Sequence, residues 1–351
     1  MDFNISIAYE ILLIHHGNNI NMGFEVNEIS EKSKGGTELM RMGLEQRLDP
    51  SLLEDFQIIP SRVRQLDESK IRVLWLHDLP GDPECDHLKN GGHEKFHLLV
   101  CVSNWQMQQF AAYYQIPWSK FIVIENAIES IAEEDIQKPT DKFKIIYHTT
   151  PHRGLEILVP VFEKLAEKYD FIELDVFSSF KIYGWEQRDE QYQGIFDKCQ
   201  EHKQINYHGV VPNEEVKKAV AQAHVFAYPS IWAETSCISL MEAMSARCIC
   251  LHPNYAALYE TSGGTTVMYQ WQEEKSQHAQ VLYNHLDNII ANRNDGVLYN
   301  VTNVTRSYAN LRYNWSRVTS IWTDVLTMIK QRYPTVDSRK FPQPMFHYKV
   351  S

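Results

Sequence analysis

Short apolar runs recur from one end of this chain to the other, and most are followed by a stretch with helical spacing. That alternation restricts the chain to βα units wound around parallel sheets. In the first half, Ile11 to Ile14, Phe56 to Ile59, Val73 to Leu76, His97 to Val102 and Phe121 to Ile124 read as strands. Helical patterns start near Thr37 and run from Asn104 to Tyr114, the second opened by the cap-competent Ser103 or Asn104. A polar segment, Glu129 to Lys142, lacks periodicity and reads as a linker. The alternation then restarts with strands over Phe143 to Tyr147, Ile172 to Phe177, Ile205 to His208, Val225 to Tyr228 and Cys248 to Leu251. Helices fall between them at Leu155 to Tyr169, Glu214 to Ala221 and Cys237 to Ala246. Near the end, Trp315, Val318, Trp322, Val325 and Ile329 repeat at three and four residues, which makes an amphipathic helix lying against the body of the protein. Beyond Tyr333 three prolines favour an extended tail. The expected division is 1–135 and 136–304 as two Rossmann-like α/β domains, 305–333 as a helix packing back, and 334–351 as the tail. Two doubly wound halves joined by a linker form a cleft, and ligands of such sheets bind at the carboxyl ends of the strands.

Bulk properties narrow the function classes. With 351 residues the chain is long enough for two cores. A net charge of -11 argues against nucleic acid as a main partner. Cys85, Cys101, Cys199, Cys237, Cys248 and Cys250 show no zinc or redox spacing and read as reduced thiols. The first apolar stretch is too short for a signal peptide or a membrane span and has no basic residues before it. A cytoplasmic protein with no integral membrane segment is expected.

The segment Tyr228-Pro-Ser-Ile-Trp-Ala-Glu234-Thr-Ser-Cys-Ile-Ser-Leu-Met-Glu242 carries the most chemistry. A buried strand ends in the turn pair Pro229-Ser230, and Thr235 or Ser236 can cap a nearly apolar helix from Cys237. Glu242 is the one charge inside that helix, so a partner for it is expected. Glu234 lies just ahead of the helix N-terminus, where free N–H groups and the dipole favour anions. At about 1.5 Å of rise per residue the two carboxylates stand roughly 10 Å apart along one groove. That geometry suits a nucleotide-sugar, with diphosphate at the helix start, ribose at Glu242 and sugar at Glu234. A solvated pair or a helix cap is the alternative.

Three further places can contribute. Lys34-Gly35-Gly36-Thr37 precedes a helix, where glycines let backbone approach a ligand; a plain turn is the alternative. His77 and Asp78 end a buried strand at its functional tip, although the histidine could equally satisfy a loop carbonyl. Arg153, next to Gly154 at a helix start after the strand Phe143 to Tyr147, can grip a diphosphate, or can be a surface turn residue. No Asp-x-Asp pair, metal-spaced cluster, phosphate-loop motif, nucleophile elbow or dinucleotide fingerprint occurs, so neither a metal nor a cofactor is expected.

The order of Gly35-Gly36-x-Glu38, strand-end His77, Val102-Ser-Asn-Trp105, Asn126-Ala-Ile-Glu129, Arg153-Gly154, His208-Gly209 and Glu234-x7-Glu242 resembles the retaining glycosyltransferases of family four, over about residues 35 to 260. The resemblance implies the GT-B fold, two Rossmann-like domains facing across a cleft. It implies that Glu242 grips the nucleotide ribose, that Glu234 faces the donor sugar, and that Thr235, Ser236 and Cys237 present backbone N–H groups to sugar and phosphate. Arg153 takes the place of the family's diphosphate-binding Lys, Gly36 matches the glycine loop that closes on the diphosphate together with Gly35, and His77 stands near the reacting end of the donor sugar. Gly209 and Val210 fall near the base. The chain departs from the family in having His148-Thr149-Thr150 where an Arg is usual, and Arg247 where a glycine is usual.

The implied activity is retaining transfer of a sugar from a nucleoside-diphosphate sugar to a hydroxyl acceptor, which is a glycan, a lipid-linked glycan or a small molecule. The donor is the substrate rather than a cofactor. The alternatives are a nucleotide-sugar epimerase on the same scaffold and a non-catalytic module that binds nucleotide-sugar or glycan. Base, sugar, acceptor, linkage and oligomeric state are left open by these motifs.

Overall fold

The computed structural model describes residues 35–344. The expected strand Ile11 to Ile14, and Lys34 of the glycine segment, lie outside the described residues. Among the described residues the strands form two parallel sheets, one of four strands and one of six.

The first sheet has the order β1 (Phe56–Pro60), β2 (Ile71–Leu76), β3 (Leu98–Cys101) and β4 (Phe121–Val123). Its members pair in parallel, from Phe56 against Ile71 to Leu99 against Phe121. Every residue of β2 is buried, as a parallel strand covered on both faces requires. Helix α1 (Gly36–Glu45) covers one face, and helix α2 (Asn104–Tyr114) with the irregular segment 83–95 covers the other. Ser103 is the N-cap of α2, its hydroxyl accepting from the Gln106 amide at 3.0 Å.

The second sheet has the order β10 (Val267–Tyr269), β9 (Ile249–Pro253), β8 (Val225–Ala227), β5 (Phe143–Tyr147), β6 (Ile172–Val176), β7 (Ile205–Tyr207). Helices α3 (Leu155–Ala166), α4 (Gln193–Glu201), α5 (Asn213–Gln222), α6 (Ile238–Ser245), α7 (Lys275–Ala291) and α8 (Gly296–Arg312) accompany it. From β5 the chain winds to β6 on one side and later returns to β8 on the other. The junction of β5 and β8 is therefore the switch point where open α/β sheets bind ligands.

Helix α9 (Trp315–Arg332) leaves the second sheet and joins the first. Val318, Trp322, Val325, Leu326 and Ile329, the stripe visible in sequence, pack among Met40, Leu44, Val73 and Trp75. The indole of Trp322 meets that of Trp75 edge-on at 5.0 Å. The tail beyond it departs from the extended form expected of it. Thr335 and Ser338 cap each other across a turn of helix, Val336–Arg339. The Arg339 guanidinium is buried and donates to Asp55 at 2.8 Å and to the Ser69 carbonyl at 3.0 Å.

Candidate active site

At the β5–β8 junction both strands end in a buried tyrosine. Tyr147 closes β5 and donates to the Thr150 carbonyl at 2.9 Å, while Tyr228 follows β8. The turn after β5 carries Arg153 and then Gly154, which has φ +127°. A Cβ on Gly154 would stand 2.2 Å from the Pro229 carbonyl oxygen, so only glycine lets this turn lie flat against the loop leaving β8.

That approach brings Arg153 to Glu234. The guanidinium Nη1 donates to Glu234 Oε1 at 2.5 Å, and its Nε donates to the Thr150 hydroxyl at 3.1 Å. The Tyr228 hydroxyl donates to the same Oε1 in a short hydrogen bond. Glu234 is only 3% exposed, and its own carbonyl accepts from the Ala257 amide. Burial pulls the Arg153 pKa down, but the Glu234 carboxylate outweighs it and holds the guanidinium well above its usual range. Burial and then Glu234 push the Tyr228 phenol up, so Tyr228 is a donor here. Arg153 is thus a partnered cation, held with Glu234 in a fixed ion pair.

Helix α6 starts immediately beyond. Thr235 and Ser236 do not cap it. Its N-cap is Cys237, which makes no side-chain cap, and the buried Cys237 thiol is pushed up by desolvation. Thr235 instead reaches across the cleft and donates to the carbonyl of His77 at 2.9 Å. The Ser236 hydroxyl is buried without a partner. Opposite, Gly35 is the N-cap of α1, and that helix also lacks a side-chain cap. A Cβ on Gly36 would meet Ile238 of α6 at 3.2 Å, and one on Gly35 would run into the ring of Tyr183 at 2.4 Å. Two uncapped helix N-termini, one from each side, therefore converge where the two halves touch. Their N–H groups and dipoles favour an anion, and at the α1 end the Glu38 carboxylate already stands 2.6 Å from where a Gly35 Cβ would sit.

His77 follows β2, its ring tilted against Trp75 at 4.6 Å. Its Nε2 is buried without a partner, and burial pushes its pKa down to about 3, so the ring is neutral. It does not satisfy a loop carbonyl through Nε2; its main-chain carbonyl is what the loop after β8 uses.

Glu242 lies one turn into α6. Its side chain is 17% exposed and has His148 Nε2 at 3.7 Å, beyond hydrogen-bond range. Within the otherwise apolar helix, Glu242 keeps partial exposure and stands beside a histidine. His148, which the sequence motifs do not single out as a site residue, is 8% exposed, and both of its ring nitrogens lack partners. The Ser239 hydroxyl holds its carbonyl at 3.0 Å. The sequence signal was its place directly after β5, the strand at the switch point. Gly209, with φ +62°, and the exposed Val210 follow the edge strand β7. They stand two strands from β5, about 10 Å along the row of strand ends. Among the described residues no group of three His, Cys, Asp or Glu side chains is placed to hold a metal ion, and no helix is long and apolar enough to cross a membrane.

Residues 128–261 match the family model described as glycosyl transferases group 1. No curated protein sequence matches the chain. Among solved structures it is similar to a glycosyltransferase from Rickettsia africae, at 12% identity over 86% of this chain and 84% of that one, with a TM-score of 0.63. It is also similar to Anabaena HepE in complex with UDP-glucose, at 13% identity over 83% and 81% of the chains, with a TM-score of 0.60. A third neighbour is sucrose-phosphate synthase from Thermosynechococcus elongatus, at 14% identity over 76% and 69%, with a TM-score of 0.59. Residues 128–261 are therefore similar to the glycosyl transferases group 1, and the chain as a whole shares the GT-B fold of these solved structures.

Proposed function

We propose that the protein transfers a sugar from a nucleoside-diphosphate sugar to a hydroxyl acceptor, with retention at the anomeric carbon. The observation that carries this reading is the convergence of two uncapped helix N-termini, at Gly36 and Ile238, beside polar groups left without partners: His77 Nε2, Ser236 Oγ and both nitrogens of His148. Buried polar groups are normally satisfied, so a ligand rich in hydroxyls with an anionic centre fits them. The Anabaena neighbour holds UDP-glucose, a donor of that class.

In this reading the diphosphate lies at the two helix ends with Ser236 and Cys237, and Gly35 and Gly36 give it room. Glu242 takes the ribose. Glu234, immobilised by Arg153 and Tyr228, accepts from sugar hydroxyls and holds the ring in place, a positioning role. The bond from the anomeric carbon to the phosphate oxygen breaks as the acceptor oxygen bonds on the same face. The acceptor's proton passes to the departing phosphate oxygen, so no side chain acts as a nucleophile. Charge builds on the diphosphate as it leaves, and the helix N–H groups with the nearby Arg153 stabilise it most at that moment. Neutral His77 donates to, or accepts from, a hydroxyl near the reacting carbon without adding charge. The protein needs no bound cofactor for this chemistry.

Calorimetric titration with uridine, guanosine and adenosine diphosphates, followed by transfer assays with the matching labelled nucleotide-sugars and a panel of hydroxyl acceptors, tests the reading. Glu242→Ala is expected to weaken diphosphate affinity about tenfold or more. Unchanged affinity in a folded variant would sink the assignment. One observation favours a second reading: Arg153 is already taken up by Glu234, as in a module that binds without turning over. Tight binding with no transfer across the panel is the outcome that selects it. An epimerase would show itself by altered sugar with water as the sole acceptor.

A further inference from the structure

The pair His148 and Glu242 has a geometry that neither residue explains alone. His148 Nε2 and Glu242 Oε2 stand 3.7 Å apart, too far for a hydrogen bond and too close for a third atom to fit between them. Both ring nitrogens of His148 are buried without a partner. The ring does not swing away to find one, because its backbone is pinned by Ser239 and its edge packs on Phe226 at 5.1 Å. Buried polar groups are normally satisfied, so a ligand group alongside the two side chains, within reach of both, would complete them.

The chemistry of the pair selects what that is. A carboxylate only accepts, so its neighbour must donate. An imidazole with a proton on Nε2 donates, so the same neighbour must also accept. A phosphate oxygen accepts but cannot donate, and it would be repelled by Glu242. A hydroxyl does both, and two adjacent hydroxyls give each side chain its own contact. We infer that His148 and Glu242 together read the vicinal diol of the nucleotide ribose, His148 being the donor half of a pair that distinguishes ribonucleotide from 2′-deoxyribonucleotide. The inference rests on the reading of Glu242 as the ribose-facing carboxylate.

The discrimination has a physical origin. Removing one hydroxyl from the ligand leaves a buried donor or acceptor of the protein unpaired, and sites built around a hydroxyl penalise its absence far more than they reward its presence. Of the diphosphates of uridine, guanosine and adenosine, the tightest binder and its 2′-deoxy counterpart are titrated against the full chain. The wild type is expected to prefer the ribo form by about tenfold or more. In His148→Phe, which keeps the ring shape and the contact with Phe226, that ratio should collapse toward one, mostly through loss of ribo affinity. His148→Gln retains an N–H donor and should restore part of the ratio, which a merely structural role would not do. A wild type that binds both forms equally, or a His148→Phe variant with an undiminished ratio, overturns the proposal while leaving the donor class intact. Absence of binding by any of the three diphosphates overturns both. Should His148→Phe not fold, His148→Ala takes its place: a ratio that falls toward one supports the diol pair, and an undiminished ratio overturns it.

Discussion

Glu234 and Arg153 are 81 residues apart and share one hydrogen bond at 2.5 Å. The sequence marked both residues, but it offered no way to see that they hold each other, because their contact depends on β5 and β8 being neighbours in the sheet. Spacing along α6 could place Glu242 relative to Glu234, since both sit on one continuous segment. It could not place His148, which reaches Glu242 only through the same strand order. What local sequence encodes here is the identity of the polar groups; what it leaves out is which of them neutralise one another. The pair makes a stability prediction. Removing one partner of a buried ion pair leaves the other charge desolvated and uncompensated, which typically destabilises by about 3 kcal/mol. With Arg153 only 21% exposed, Glu234→Ala should lose a substantial part of that in urea unfolding. Pairing it with Arg153→Met should recover much of the loss, because no orphan charge remains. Additive losses in that double-mutant cycle would show the pair to be energetically uncoupled.

At the level of elements, several strongly patterned segments were legible, while α7, with Leu282, Leu286, Ile289 and Ile290 buried, went unread along with the weakly patterned ones. Helix α2 runs from Asn104 to Tyr114 as its spacing and the Ser103 cap indicate, and β5 runs from Phe143 to Tyr147. Strand β10, three residues at the sheet edge, carries too short a signal to be read. Helix α8 is built from Val297, Val301, Thr302, Val304 and Thr305 among asparagines, residues of modest helix propensity, and tertiary contact with the second core decides its state. The turn between β5 and α3 is where one residue type controls the geometry of the whole site. Gly154 has φ +127°, and a side chain there collides with the Pro229 carbonyl at 2.2 Å. Gly154→Ala must push the Arg153 turn away from the loop that carries Glu234. We expect a loss of about 2 kcal/mol or more in unfolding free energy, together with loss of diphosphate binding. A variant that kept both would mean that the turn relaxes freely and does not position Arg153.

Across the whole molecule, the two halves are tied outside the cleft as well, by residues remote from each other in sequence. Ile128 bridges to Asn314 where the chain first leaves and finally re-enters the first sheet, and Glu125 pairs with Arg312 and Arg317 beside it. Farther out, Glu260 from the second half accepts from the Asn104 and Trp105 amides at the N-terminus of α2. Histidines that are buried or half-buried are spread over both halves as well. Burial pushes His77 and His97 down to about 3 in the first, and His152, His224, His252 and His278 down to about 4 in the second. The sign of the consequence follows from proton counting. Below the ordinary histidine pKa of 6.5 the unfolded chain binds protons at these sites, while the folded chain refuses them until about pH 4 or 3. Stability is therefore full above about pH 6.5 and falls as pH drops through that window. Each fully buried ring contributes a slope approaching about 1.4 kcal/mol per pH unit once its unfolded counterpart is protonated. Six such groups in one chain should bring on cooperative acid unfolding well above the range where carboxylates protonate. Urea midpoints measured at pH 7.5, 6.5 and 5.5 should be level between the first two and drop sharply by the third. His252, wholly buried and bonded on one side to Thr266, gives the control. His252→Gln cannot take up the proton, so it should shallow the slope even if it lowers the plateau. A flat profile down to pH 5.5 in the wild type would mean that these rings titrate in the folded protein, through openings that the packing of the two halves does not suggest.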